Sequence, residues 1–425
     1  MKTNLLTKAI LGLTAFLLLS ACSIGKRIQN DMVKEAEMNT FFKGLVVYNP
    51  KTDKVLVNYN GNKYFTPASN TKLFTFYASF RSFQDSVTGL KYTMRKDSLI
   101  IKGTADPSFL YGFEESKTLD FLKSKSQNIY LIDESIAEAP LGSGWAWDDY
   151  EYYYMPEKSL FPIYGNLIKL TKRGNTITTK PSFFETNIKI EDSIFIRRDV
   201  SDNNFYVLKG TEVSYREIPF KTSNQLVADL LSEELEKKVT LIRPNIDYKY
   251  LDFKSVSYDS LYTQMLTISD NFIAEQLMIQ VGFEKSGIYS VDKGIAYALD
   301  NYLKDIPQKP RWVDGSGLSR YNLFTPESIV YLLKKMYLEI PKEKLFAYFP
   351  SGGVSGTLKN SFKSEKPFIF AKSGTLSNNY NLSGYLVTKK GTVLLFSYMN
   401  NHYPDSSSER KKEMEKVFLT LYNTY

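Results

Sequence analysis

Residues 65–75 read FTPASNTKLFT, and the organisation of the whole chain follows from this stretch. Pro67 suits the start of a helix, where a missing N–H costs nothing, and the apolar residues from Leu73 onward predict a helix with a buried face. Ser69 and Lys72 are three residues apart, so they are neighbours on one face of that helix. The stretch therefore predicts a hydroxyl beside an amine.

A serine hydroxyl is a poor nucleophile at neutral pH unless a base removes its proton. Lys72 can be that base only if burial and a nearby positive charge lower its pKa from the ordinary value of about 10.4. The stretch thus predicts a water-poor cleft that contains a second cation. The pattern Ser-x-x-Lys is weak evidence alone, because it recurs at Ser23, Ser290 and Ser408.

The first residues predict an export signal. Lys2 and Lys8 precede the apolar run 9–19, which is too short to span a bilayer comfortably and ends in small residues. The sequence LSAC at 19–22 resembles a bacterial lipobox, in which the cysteine is acylated, and Cys22 is the only cysteine. We expect a signal peptide over residues 1–21 and a lipidated polar tether over 22–39. The alternative is a plain signal peptide with an incidental cysteine.

Composition limits the class of protein. The chain has 425 residues, which favours two domains or one domain with a large insertion. Hydrophobic residues make up 43% and charged residues 24%, as in folded globular proteins. The net charge is +8, but lysine and arginine are scattered and accompany no nucleic-acid motif. The excess charge suits an anionic cell envelope, and we expect no nucleic-acid partner.

The pattern of apolar residues predicts an α+β fold. Two strands joined by a turn are expected at 44–48 and 54–59, followed by the helix near Ser69. Helices are expected at 223–238, 258–281, 291–303 and 326–338. The chain then ends in strands at 367–376, 382–389 and 392–400 and a helix at 408–422. An antiparallel sheet built from both chain ends, with helices between, defines a catalytic domain over 40–80 and 253–425. Short β-like runs predict an inserted domain over 81–252.

Two further motifs occur twice each. Ser-Asp-Asn stands at 201–203, in a polar turn, and at 269–271, where it interrupts an apolar helical pattern as functional residues do. Lys-Ser-Gly stands at 285–287, between helices, and at 372–374, at the end of an apolar run that predicts a buried strand. Glycine in a strand lets another backbone approach closely, as a peptide substrate added to a sheet edge requires. We therefore select Ser269, Asn271 and Lys372.

In this order and context the motifs resemble those of the serine penicillin-recognising enzymes. The 200 positions between Ser69 and Ser269 make the chain similar to the class C low-molecular-mass penicillin-binding proteins, the D-alanyl-D-alanine carboxypeptidase and endopeptidase family, which carry an insertion at this point. Further stretches resemble that family at 103–107, 145–149, 314–319 and 352–358. Ser373 departs from the family's threonine, and the insertion is short, which puts a third subdomain in doubt.

The resemblance implies a β-lactamase-like transpeptidase fold and a role for each motif. Ser69 is expected to attack a D-Ala-D-Ala peptide with Lys72 as base, and Ser269 to pass the proton to the leaving amine. Asn271 is expected to hold Lys72 and the substrate amide.

The carboxylate of the substrate is expected to bind Lys372, assisted by Ser373 and Thr375, with Gly374 between them. Lys372 is also expected to lower the pKa of Lys72 by repulsion. The oxyanion would lie between the backbone N–H groups of Ser69 and Thr375.

The implied partners are peptidoglycan stem peptides as substrate, β-lactams as inhibitors, and a membrane reached through a lipid on Cys22. No metal or cofactor is expected, because one histidine, His402, and one cysteine do not make the usual zinc sets. Three alternatives remain: a β-lactamase, a non-catalytic peptidoglycan-binding lipoprotein, and a basic interaction module.

Overall fold

The computed structural model describes residues 24–34, 40–244 and 248–425. The predicted signal peptide and Cys22 lie outside these residues. Residues 24–34 form a helix, α1. Ile28 and Met32 are four residues apart, so they share one face of α1, and both are buried in a hydrophobic cluster with the C-terminal strands. The tether predicted over 22–39 therefore contains a helix that packs on the folded domain.

Secondary structure of the described residues agrees well with the predicted order. The strands are β1 (Phe42–Asn49), β2 (Lys54–Tyr59), β3 (Ser86–Arg95), β4 (Ser98–Lys102), β5 (Asn128–Ile132), β6 (Leu167–Arg173), β7 (Thr176–Lys180), β8 (Ile188–Glu191), β9 (Phe205–Leu208), β10 (Val213–Pro219), β11 (Val239–Ile242), β12 (Leu251–Ser257), β13 (Ile369–Leu376), β14 (Asn379–Val387) and β15 (Val393–Asn401). The helices after α1 are α2 (Lys72–Ser82), α3 (Thr118–Lys123), α4 (Asn224–Leu235), α5 (Tyr258–Thr267), α6 (Asn271–Ser286), α7 (Val291–Asn301), α8 (Pro326–Glu339), α9 (Lys342–Ala347) and α10 (Ser407–Thr424). Short 3-10 helices occupy Ala68–Thr71, Trp147–Asp149, Tyr164–Asn166, Ser182–Asn187 and Gly356–Leu358.

One five-stranded sheet is built from both ends of the chain. Its order is β13-β14-β15-β1-β2, and each neighbouring pair is antiparallel. One hydrophobic cluster lies between this sheet and helices α2, α5, α6, α7 and α8. A second cluster, which includes α1 and α10, covers the other face. The predicted α+β fold is confirmed.

The segment between α2 and α5 forms its own sheets. The larger has the order β11-β5-β4-β3-β12, and smaller sheets join β10-β6-β7 and β8-β9. A hydrophobic cluster made of residues between Leu90 and Val239 fills this region. The segment thus has a core of its own, and its first and last strands, β3 and β12, pair with each other.

The single helix predicted over 258–281 is wrong. The chain forms α5 and α6, and Ser269 lies between them with a φ of 65°. That left-handed conformation cannot continue a right-handed helix. Asp270 then starts α6 as its N-cap, because its side chain accepts a hydrogen bond from the Ile273 N–H at 3.0 Å. The polar triplet is therefore a turn between two helices.

Candidate active site

Ser69 and Lys72 lie at the N-terminal end of α2, beneath a cleft. Ser69 lies in the 3-10 turn that precedes α2 and is partly exposed. The helix α2 itself therefore begins after Ser69, where the helix start was predicted. Lys72 is fully buried, and its Nζ lies 2.9 Å from the Ser69 Oγ. The predicted pair of hydroxyl and amine is therefore in hydrogen-bonding contact.

Two further groups hold the Lys72 amine. Its Nζ donates to the Asn271 Oδ1 at 2.6 Å and to the Ser316 carbonyl at 2.7 Å. Neither acceptor carries a charge, so the two hydrogen bonds compensate only part of the free energy that it costs to bury a charged amine. Burial lowers the pKa of Lys72 to about 8, while the more distant carboxylates of Asp314, Glu275 and Asp270 oppose the shift.

The second cation is present, but its effect differs from the prediction. Lys372 is fully buried, and the pKa of its amine is lowered well below the ordinary value, first by burial and then by the charge of Lys72. The lowered pKa of Lys72 comes from burial rather than from Lys372. The expected repulsion therefore acts mainly on Lys372 in the absence of substrate.

The Ser-Asp-Asn turn connects the two lysines. The Ser269 Oγ accepts a hydrogen bond from the Lys372 Nζ at 2.8 Å, whereas Asn271 contacts Lys72. Asp270 accepts a hydrogen bond from the Tyr111 hydroxyl at 3.0 Å. Burial raises the pKa of Asp270. Ser269 thus contacts Lys372 and Asn271 contacts Lys72, whereas Asp270 holds the turn in place through Tyr111.

Strand β13 forms the opposite wall of the cleft. The Ser373 Oγ donates to the Thr357 Oγ1 at 2.8 Å, and the Thr375 side chain is exposed to the cleft. Gly374 lies against the turn that carries Ser69, since a Cβ at this position would stand 2.6 Å from the Pro67 carbonyl oxygen. Glycine is needed here because only it permits this close approach.

The cleft has a volume of about 760 Å³. Ser69, Ser269, Asn271, Ser373 and Thr375 line it, and the two lysines lie directly behind them. The structure therefore brings together the residues selected from the sequence, although 303 positions separate Ser69 from Lys372. Side chains from the inserted segment line the same cleft: Tyr111, Asp148, Asp149, Tyr153, Lys169 and Glu217.

The copies of the three motifs that were not selected as site residues have structural roles. Asn203 is paired with the backbone of Lys221, and Gly287 ends α6 in a left-handed conformation. Ser290 caps α7 and Ser408 lies in the first turn of α10. Ser23 lies outside the described residues.

Sequence reasoning missed two backbone acceptors at the site. The Ser316 carbonyl binds Lys72, and the Tyr154 carbonyl accepts from the Asn271 Nδ2 at 2.8 Å. Carbonyl groups occur in every residue, so no motif identifies them. The glycines on both sides of Ser316 are a sequence feature that marks this loop. Gly317 has to be glycine, because a Cβ there would stand only 1.9 Å from the Ala68 carbonyl oxygen.

The two tryptophans of the aromatic stretch at 145–149 have different surroundings. The Trp145 Nε1 donates to the Asp314 Oδ2 at 2.9 Å. Trp147, however, is 77% exposed, and its neighbours Ala146 and Asp148 line the cleft. The loop is therefore held to Asp314 by one tryptophan and exposes the other to solvent.

The fold and this arrangement of serine, lysines and asparagine define the class of serine penicillin-recognising enzymes. The chain belongs to the D-Ala-D-Ala carboxypeptidase 3 (S13) family, whose model matches residues 26–421. This confirms the family and the enzyme class predicted from the motifs, and it removes the two non-enzymatic alternatives. The family is named for the bond between two D-alanines, a bond of the bacterial cell wall, which indicates a location in the cell envelope.

Individual relatives agree. The chain is 24% identical over 436 residues to the D-alanyl-D-alanine carboxypeptidase DacB of Haemophilus influenzae, covering 90% of each protein. It is 23% identical over 438 residues to a D-alanyl-D-alanine carboxypeptidase of Actinomadura sp., covering 89% of this chain and 81% of that one. The crystal structure of penicillin binding protein 4 (dacB) from Haemophilus influenzae superposes with a TM-score of 0.76 at 21% identity, covering 90% of this chain and 97% of that one.

Within the residues that the structure describes, no helix combines the length and the apolar character needed to cross a bilayer.

Proposed function

We propose that the enzyme cleaves peptidoglycan stem peptides through an acyl-enzyme at Ser69, with neutral Lys72 as the base. The observation that carries the proposal is the 2.9 Å contact between the Lys72 Nζ and the Ser69 Oγ, in a site where burial lowers the pKa of the amine to about 8. An amine with this pKa is neutral in a useful fraction of molecules near neutral pH and can accept the hydroxyl proton.

The first half of the reaction acylates the serine. The Ser69 Oγ attacks the carbonyl carbon between the two D-alanines, and its proton moves to Lys72. The oxyanion lies between the N–H groups of Ser69 and Thr375, a type of donor pair typically worth a few kcal/mol. The C–N bond then breaks. Ser269 gives its hydroxyl proton to the departing amine and takes up the proton held by Lys72, so the Ser269 hydroxyl is restored and Lys72 is neutral again. Water hydrolyses the ester and releases the shortened peptide.

Lys372 is the group that selects a peptide with a free carboxylate. Its amine is buried, and within the part of the chain that the structure describes it donates to two uncharged acceptors, the Ser269 Oγ and the Ser373 carbonyl at 2.6 Å. A bound carboxylate favours the charged form of Lys372 and so reverses the lowering of its pKa. That charge then disfavours protonation of Lys72, so substrate binding itself helps to keep the base neutral.

Asn271 has a double role in this proposal. Its Oδ1 fixes Lys72, and one hydrogen of its Nδ2 donates to the Tyr154 carbonyl. An amide nitrogen carries two hydrogens, so the second remains for the substrate's amide carbonyl.

Labelling with a fluorescent penicillin tests the nucleophile. Wild type and Ser408→Ala should label, because Ser408 belongs to another Ser-x-x-Lys pattern that lies on α10. Ser69→Ala should not label. Labelling of Ser69→Ala at the wild-type rate would exclude Ser69. Rapid turnover of a chromogenic β-lactam would instead favour the β-lactamase alternative.

Both carboxypeptidase and endopeptidase activities are compatible with the cleft. The inserted segment adds charged walls beyond the catalytic residues, and a crosslinked stem peptide could extend along them. Incubation of purified sacculi with the enzyme separates the two activities. Loss of terminal D-alanine from monomers reports the carboxypeptidase, and conversion of crosslinked dimers to monomers reports the endopeptidase.

We also propose the domain division and the anchor predicted from the sequence. Residues 40–80 and 253–425 form the catalytic domain and 81–252 the inserted domain, supported by the separate hydrophobic cluster of the latter. Residues 1–21 are removed and Cys22 is lipidated, so α1 joins the lipid to the domain on the envelope side of a membrane. Cys22→Ser should move the protein from the detergent phase to the aqueous phase in a detergent partition; an unchanged distribution would refute the anchor.

A further inference from the structure

Glu275 is a buried carboxylate for which the proposed reaction has no role. It lies on α6, one turn after Asn271, and is 1% exposed. Its Oε1 accepts from the Ser316 N–H at 2.7 Å and its Oε2 from the Gly315 N–H at 3.2 Å. Both oxygens therefore hold the backbone of one loop, which is the loop that contacts Lys72.

The held loop is packed against two helices. A Cβ on Gly315 would stand 2.5 Å from the Ala274 carbonyl oxygen of α6. The Gly315 carbonyl in turn accepts from the Thr75 Oγ1 of α2 at 2.6 Å. Asp314 accepts from the Gly317 N–H at 2.8 Å. That N–H belongs to the same peptide group as the Ser316 carbonyl, and in a trans peptide the two point in opposite directions.

The Ser316 carbonyl completes the geometry that a basic amine needs. A neutral lysine amine has two hydrogens and one lone pair. Donation to the Asn271 Oδ1 and to the Ser316 carbonyl uses both hydrogens of Lys72, at 2.6 and 2.7 Å. The lone pair is then left for the hydroxyl of Ser69, 2.9 Å away. If the carbonyl moved, the amine could rotate and direct a hydrogen at the serine instead.

We propose that Glu275 is a positioning residue, which fixes the Ser316 carbonyl and thereby the direction of the Lys72 lone pair. The proposal rests on the role of Lys72 as base given above. Glu275 acts through the loop and does not touch the serine. Its charge also favours protonated Lys72, so it is one of the groups that set the pH at which the base becomes neutral.

Two variants separate position from charge. Glu275→Gln keeps the length, but its amide can accept only one of the two N–H groups, and it removes the charge. Glu275→Asp keeps the charge but is one methylene too short to hold the loop. Gln280→Leu is the matched control: Gln280 is buried on the same helix and bonds the Ala105 carbonyl and the Tyr258 hydroxyl, away from Lys72.

The measurement is acylation by a fluorescent penicillin, resolved into the dissociation constant of the first complex and the first-order acylation constant. Both Glu275 variants should lower the acylation constant by about tenfold to a hundredfold while the dissociation constant stays within about threefold, because a misdirected base affects only the chemical step. Gln280→Leu should lower the melting temperature and leave both constants unchanged.

The pH profile adds a readout that loss of stability does not move. The charged groups around Lys72 are Asp314, Asp270 and Lys372. Burial and then the charge of Asp314 raise the pKa of Glu275 to about 7, and Lys158 opposes the shift, so Glu275 is mostly charged in the pH range above 7 where Lys72 titrates. These neighbours are unchanged in the variants. Removing the Glu275 charge lowers the pKa of Lys72, so the rise of acylation with pH should move to lower pH in Glu275→Gln and stay in place in Glu275→Asp.

The result that overturns the proposal is a Glu275→Gln enzyme with the wild-type acylation constant and pH profile, while Lys72→Ala is inactive. If Lys72→Ala itself acylates at the wild-type rate, the proposed base is wrong instead. If Glu275→Gln does not fold, Thr75→Val loosens the same loop from α2. It should lower the acylation constant in the same way, and an unchanged constant there overturns the proposal.

Discussion

Gly317 offers the sharpest test of how closely the loop beneath Ser69 is fitted. Its φ is 83°, and a Cβ would lie 1.9 Å from the Ala68 carbonyl oxygen. Ordinary contact begins at 3.4 Å, so in Gly317→Ala the carbonyl must move by about 1.5 Å. The Ala68 carbonyl and the Ser69 N–H belong to one peptide group, so the displacement also moves the proposed oxyanion donor.

The expected cost has two parts. The left-handed backbone costs an alanine about 1–2 kcal/mol of folding stability. Misplacement of catalytic groups by about 1 Å can cost about a hundredfold in rate. Gly317→Ala should therefore lower the second-order rate constant of acylation by a penicillin by about a hundredfold, in addition to lowering the melting temperature.

Gly391 provides the matched control. Its φ is 81°, and a Cβ there would meet no heavy atom within 4 Å. Gly391→Ala thus carries the same backbone cost without the collision, in a hairpin turn away from the cleft. Both variants are assayed well below the lower of their melting temperatures. If Gly317→Ala acylates within about threefold of Gly391→Ala, the close fit between the loop and the Ser69 turn does not govern the reaction.

Two further predictions concern the lysines. Acylation requires neutral Lys72, and its pKa is lowered to about 8, so the second-order acylation constant should rise by about tenfold between pH 7 and pH 9, with its midpoint near pH 8. A profile that is flat across this range would exclude a titrating base of this pKa. Lys372→Met should lower kcat/KM for a D-Ala-D-Ala peptide by about tenfold to a hundredfold, the typical worth of a hydrogen bond to a charged group. The loss should largely disappear for the same peptide with an amidated C-terminus, and an equal loss on both peptides would show that Lys372 does not bind the carboxylate.

The sequence was sufficient for those parts of the site that side chains define. Ser69, Lys72 and Lys372 stood in motifs whose neighbours predicted a helix start and a buried strand, and local sequence determines both contexts. Their convergence could be predicted because the α+β arrangement places the first helix beside the C-terminal strand. The buried strand at 367–376 was expected from a continuous apolar run, and β13 begins two residues later.

The parts that could not be predicted depend on tertiary contacts. The apolar pattern of 258–281 is continuous on both sides of Ser269, so periodicity alone does not show where the helix stops. The cap by Asp270 decides it. Burial and a second cation were both expected to lower the pKa of Lys72, but the motifs do not show how deeply the amine is buried, and the lowering comes from burial. Backbone acceptors such as the Ser316 carbonyl leave no trace in a motif.

The inserted segment is the largest surprise, because its residues support the catalytic turn. The Tyr111 hydroxyl donates to the Asp270 Oδ2 at 3.0 Å, and Tyr111 also lines the cleft. Asp270 is buried, so loss of a donor leaves its carboxylate less satisfied. Tyr111→Phe should cost about 1–2 kcal/mol of stability and should also loosen the turn that holds Ser269 and Asn271.

Tyr258→Phe separates these two effects. Tyr258 is buried, and its hydroxyl donates to the Gln280 Oε1 at 3.2 Å, in the core and away from the turn. Both variants lose one buried hydroxyl, so both should melt at lower temperature, but only Tyr111→Phe should acylate more slowly. Equal acylation rates in the two would mean that the inserted segment only covers the site. A selective loss in Tyr111→Phe would mean that the catalytic domain requires the insertion to hold its Ser-Asp-Asn turn in place, since the same segment also supplies the carbonyl that orients Asn271.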